Sequence, residues 1–74
     1  MKSLAEVKEG KYRIIEVQKV GRQRLKKLST LGIFIGDVIE VIKPGPGPVI
    51  IKKGNIRIGI GYGIAMSIIV DEIE

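Results

Sequence analysis

The residues that could carry chemistry are few. Histidine and cysteine are both absent, so there is no imidazole to act as a general base and no thiolate to act as a nucleophile or soft metal ligand. The three serines, Ser3, Ser29 and Ser67, have only lysines or carboxylates as activators. A Ser29–Lys26 pair on one helix face has no third group to orient it, as nucleophilic catalysis requires. Asp71, Glu72 and Glu74 form the only acidic cluster, and it reads better as a solvated, charged terminus than as a site for a hard cation. Gly59-Ile60-Gly61-Tyr62-Gly63 starts like a dinucleotide fingerprint, but Ile64 stands where the third glycine belongs and no Lys-Ser/Thr follows. These patterns exclude an enzyme, a resident metal and a cofactor from the expectation, and leave surface recognition.

Two stretches could recognise a partner. Lys19, Arg22, Arg24, Lys26 and Lys27 make a basic run suited to phosphates. Tyr12, Phe34 and Tyr62 are the only rings, a poor stacking platform for single strands. Nucleic-acid binding by a small basic β-barrel is therefore the alternative reading. The connector Gly32-Ile33-Phe34-Ile35-Gly36 is more telling, because three large apolar residues between glycines cannot all turn inward, and one is expected to stay exposed beside the helix. The charge is lopsided. Residues 1–36 hold nine Lys/Arg against three Asp/Glu, and residues 37–74 hold four against five, which together give the net +5.

The elements that must position these residues follow from periodicity and breakers. Ser3-Leu4-Ala5-Glu6 has the capping-box pattern and predicts a short N-terminal helical turn through about Lys8, stopped by Gly10. Lys11 to Val20, rich in β-branched and aromatic residues, predicts the first strand, broken by Gly21. Arg22 to Leu31 repeats Leu25, Leu28 and Leu31 on one face and ends at Gly32, which predicts a helix with a left-handed C-cap. Asp37 to Lys43 predicts the second strand, and Pro44-Gly45-Pro46-Gly47-Pro48 must be a loop, since proline nitrogens cannot join a ladder. Val49 to Lys53 and Ile56 to Ile60 flank Gly54-Asn55, a tight hairpin turn. After a helical turn over residues 61–65, Met66 to Asp71 returns as the fifth strand.

Five short strands in 74 residues bury their apolar face best by curling into a barrel. The expected fold is mainly β, a small five-stranded SH3-like barrel with one short helix after the first strand. An OB-fold would place its helix between the third and fourth strands, where this chain has the Gly54-Asn55 turn. At 45% hydrophobic residues, the chain should fold as a single domain over 1–74. Its longest uncharged run, Ile58 to Val70, is 13 residues with three glycines, too short for a membrane span. No signal-peptide core opens the chain, and the absence of cysteine marks no oxidising compartment.

Several segments in order and spacing resemble the FeoA family of ferrous-iron-transport proteins: Leu4-Ala5-Glu6-Val7-Lys8-Glu9-Gly10, Lys27-Leu28-Ser29-Thr30-Leu31-Gly32-Ile33 leading to Gly36, Ile39-Glu40-Val41, Gly47-Pro48-Val49, Ile58-Gly59-Ile60-Gly61, and Ala65 with Ile68 and Val70. The chain carries Lys27 where that family commonly has arginine, and Ile35 where it commonly has proline. The resemblance implies a cytoplasmic SH3-like barrel that regulates or assists ferrous-iron uptake by contacting the cytosolic domain of a FeoB-like permease. Homo-oligomerisation, through the same apolar connector or an unpaired strand edge, is a third expectation beside the permease and nucleic-acid readings. The same barrel is similar to the C-terminal domain of metal-dependent repressors, although 74 residues leave no room for a helix-turn-helix. The residues expected to meet the partner are Arg24, Lys27, Leu28, Leu31, Phe34 and Ile35, with the basic ones steering and the apolar ones anchoring.

Overall fold

A computed structural model of the chain describes residues 1–18 and 22–73, with residues 22–25 described for their backbone alone. The elements in order are β1 (Lys2–Ser3), β2 (Gly10–Val17), α1 (Arg22–Thr30), β3 (Val38–Lys43), β4 (Val49–Lys53), β5 (Ile56–Ile60), α2 (Tyr62–Ala65) and β6 (Ile68–Glu72). The strands form one six-stranded antiparallel sheet in the order β1-β6-β2-β3-β4-β5. Every strand except β1, the turn after it and both helices send side chains into a single buried cluster. One core shared so widely requires the sheet to wrap around it, as an SH3-like barrel does. The expected end of the first strand at Lys19, Val20 and Gly21 lies outside the described residues.

The five expected strands are present, and a sixth was not foreseen. Ser3 and Glu6 do meet, with the Ser3 hydroxyl donating to Glu6 Oε1 at 3.0 Å and the Glu6 N–H donating to the Ser3 carbonyl at 3.0 Å. They close a single turn over residues 4–6 instead of opening a helix through Lys8. The reason is tertiary. Lys2 and Ser3 pair with Val70 and Ile69, and the Leu4 N–H donates to the Ile68 carbonyl at 2.7 Å. Leu4 itself is fully buried. A helix continuing to Lys8 would give up that sheet edge and that burial.

β2 shifts register between Ile14 and Glu16 opposite β6; such a bulge bends the strand and sharpens its twist. β6 lies between β1 and β2, and Ile68, Ile69 and Val70 are all buried. The Pro44–Pro48 loop passes close to α2 and the first turn. A Cβ on Gly45 would lie 2.8 Å from Tyr62 Cε1 and 3.3 Å from the Ala5 carbonyl, so any larger residue would have to displace the Tyr62 ring. Tyr12 is buried in the core and its hydroxyl donates to the Lys8 carbonyl at 2.9 Å. Burial pushes its phenol pKa up, and Glu72 adds to the rise.

Candidate docking surface around the helix exit

The end of α1 is a Schellman motif. The Ile33 N–H donates to the Leu28 carbonyl at 2.9 Å and the Gly32 N–H to the Ser29 carbonyl at 3.0 Å, with Gly32 at φ +80°. These are the two reversed bonds that satisfy orphan helix carbonyls, and the motif favours an apolar contact between the residues in the positions of Leu28 and Ile33. Both belong to the buried cluster. With Ile33 anchored inward, the chain must turn out again before it can enter β3.

That outward turn is tied down at each end. The Asp37 carboxylate accepts the Phe34 N–H at 2.8 Å, and the Asp37 N–H donates to the Phe34 carbonyl at 3.1 Å. The Gly36 N–H donates to the Ile14 carbonyl at 2.7 Å, and the Ile14 N–H to the Asp37 carbonyl at 2.9 Å. Lys53, at the end of β4, reaches across. Its ammonium lies 2.7 Å from Asp37 Oδ2, donates to the Gly32 carbonyl and sits 5.4 Å from the centroid of the Phe34 ring. A cation at a helix C-terminus complements the exposed carbonyl dipoles, and one over a ring gains from its quadrupole. Burial alone would raise the Asp37 pKa, but the Lys53 hydrogen bond, the Phe34 N–H and the Lys53 charge outweigh it and hold the carboxyl below its usual range.

The expected contact residues divide by depth. Phe34 and Ile35 are exposed at 54% and 62%, while Ile33 turns inward. Leu31 is at the boundary of exposure and Lys27 is exposed. Leu28 corrects the sequence reading: at 2% exposed it holds the helix to the core and presents nothing to a partner. Arg24, with Arg22, lies among the side chains outside the described residues, and Lys19 lies outside them altogether. Lys53 and Asp37 appear in the sequence only as strand ends and not among the expected contact residues. The lysine is 16 residues from its partner, and only the β3–β4 register and the helix exit bring them together.

The rest of the surface offers less. The Ser29 hydroxyl donates to the Lys26 carbonyl at 2.9 Å, as does that of Thr30, so helix carbonyls occupy both. Among the described residues no group of three His, Cys, Asp or Glu gathers as a metal site would; Asp71 lies 3.6 Å from the terminal ammonium, and Glu74 lies outside the described residues. A cleft of about 360 Å³ between β1, β2 and β6 is lined by Lys2, Lys8, Glu6, Asp71 and Glu72, whose opposite charges offset one another. No described helix is long and apolar enough to cross a membrane.

Known proteins share this architecture and sequence. Over all 74 residues the chain is 39% identical to the "Putative Fe(2+) transport protein A" of Methanocaldococcus jannaschii, covering 90% of that protein. A crystal structure of an iron uptake regulatory protein (FeoA) superposes with a TM-score of 0.83 at 30% identity, covering 97% of this chain and 96% of that one. The manganese regulator SloR contains the same fold, with a TM-score of 0.88 at 23% identity; the match covers 97% of this chain but 34% of SloR. The FeoA domain pattern matches residues 2–72, and the chain belongs to the FeoA domain family.

Proposed function

We propose that the chain is an accessory protein of ferrous-iron uptake that acts in the cytoplasm by binding a protein partner, the cytosolic domain of a FeoB-type permease. Family membership supports the pathway. The observation that supports the mode of action is the exposed Phe34–Ile35 pair on a turn already locked by Lys53 and Asp37. A rigid turn loses little conformational freedom on docking, and exposed aromatic residues are the usual anchors of an interface. Lys26 and Lys27, exposed on the adjacent helix, supply positive charge that speeds encounter with an acidic surface.

The test is the double substitution Phe34→Ala with Ile35→Ser, titrated by calorimetry into the purified cytosolic domain of the permease. The fold should be unchanged by circular dichroism, because neither side chain belongs to the core cluster. Affinity should fall by about tenfold or more, the loss typical when an interface anchor is truncated. Equal affinity in a folded variant would remove this surface from the proposal.

A further inference from the structure

A second recognition surface lies on the opposite edge of the sheet from β1, and it does not rest on the permease reading. Among the described residues β5 has a neighbouring strand on one side only. Its register with β4 runs Lys53↔Ile56, Lys52↔Arg57, Ile51↔Ile58, Ile50↔Gly59 and Val49↔Ile60. A two-residue turn closes on a hydrogen-bonded pair, so 53–56, 51–58 and 49–60 are the bonded pairs. The N–H and C=O groups of Arg57 and Gly59 therefore point away from β4, toward an unfilled strand position.

The charge row through that position specifies what could fill it. Across the outer face the register places Lys11 opposite Glu40, Glu40 opposite Lys52, and Lys52 opposite Arg57. Signs alternate until the last pair, where two cations stand directly opposite, an arrangement that is destabilising on its own. A carboxylate on the far side of Arg57 would restore the alternation. On the inner face Ile56, 66% exposed, offers an apolar neighbour to the flanking side chain of an added strand. No Cβ built on Gly59 meets another atom within 4 Å, so the outer face next to Arg57 leaves room for the side chains of an added strand. A second copy of this chain fits less well. Paired antiparallel about Ile58 it would set Gly59 opposite Arg57, bringing no carboxylate, and each copy carries a net charge of +5.

We propose that β5 is a docking edge for an extended acidic segment of another protein, which adds antiparallel as a seventh strand with an Asp or Glu opposite Arg57. Strand addition of this kind draws affinity from main-chain bonds and specificity from alternate side chains.

Two short peptides of alternating valine and threonine serve as probes, one with glutamate and one with lysine in place of the central threonine. They are titrated into the isotopically labelled full chain and followed by its backbone amide resonances. The glutamate peptide should shift the Arg57 and Gly59 amides, more weakly at high salt, and bind at least about fivefold tighter than the lysine peptide, as one cross-strand charge pair allows. Arg57→Glu should reverse that order. Gly59→Pro should abolish binding without unfolding the sheet, since the nitrogen it blocks makes no bond to β4. No binding by either peptide, equal binding of both, or shifts at these amides that track protein concentration and so report self-pairing would each overturn the proposal. If the proline variant misfolds, the charge reversal still decides it.

Discussion

Asp37 joins the turn after α1 to the end of β4 through one carboxylate, which accepts the Phe34 N–H and pairs with Lys53. Its side chain is 21% exposed and that of Lys53 34%, so water still screens the pair and its worth is modest. Asp37→Asn keeps an acceptor for the Phe34 N–H and loses the charge; the expected cost is about 1 kcal/mol at neutral pH. The pH dependence has a definite sign. Because the folded carboxyl titrates below its usual range, the folded state releases its proton more readily than the unfolded state. Its contribution is present above about pH 4 and is lost as pH falls through the lower, folded value. Urea unfolding of both proteins across that range should show the gap between them closing in acid. A gap that persists to about pH 2 would assign the loss to packing, not to charge. None of this was legible in the sequence. Asp37 read only as the start of one strand and Lys53 only as the end of the next, because what joins them is the register of β3 on β4 and the Schellman exit of α1.

Local signals succeeded where an element closes on itself. The helix was readable from the Leu28 and Leu31 spacing with Gly32, and the β4–β5 hairpin from Gly54-Asn55, because each depends on neighbours in sequence. The capping-box pattern at Ser3–Glu6 misled for the opposite reason. Ser3 and Glu6 do come together, but through a hydroxyl–carboxylate bond and a backbone bond, not the two side-chain-to-backbone bonds of a capping box. The turn stops where its flanking residues pair with β6, about 65 residues away in the chain. Gly32 offers a clean measure of how far a local device supports the docking turn. It sits at φ +80° with nothing within 4 Å of an added Cβ, so Gly32→Ala introduces backbone strain without a clash. The expected loss is about 1 kcal/mol. Gly32→Asn should cost less, since asparagine tolerates the left-handed region. Thermal melts of the two variants would check the order; equal losses would mean that the penalty arises from something other than the backbone angle.

At the scale of the whole molecule, 74 residues leave little reserve, with total stability on the order of 5–10 kcal/mol. The barrel has no disulfide, so its margin depends on how completely one core is filled. Chain ends are usually the most dispensable part of such a fold, and the sequence reading gave the first residues only a helical turn. The structure assigns them more. Leu4 is fully buried, its N–H bonds to Ile68 across the sheet, and the two residues before it form the strand beyond β6. Leu4→Ala should therefore behave as a core truncation and cost about 2–4 kcal/mol. Val38→Ala, at a half-exposed site on β3, should stay within about 0.5 kcal/mol. In urea the first variant should unfold at a clearly lower midpoint with an unchanged slope, because the surface exposed on unfolding is nearly the same. A shift no larger than that of the Val38 control would show that the N-terminal turn docks on a barrel already closed without it, and would remove β1 from the set of interactions that hold the fold together.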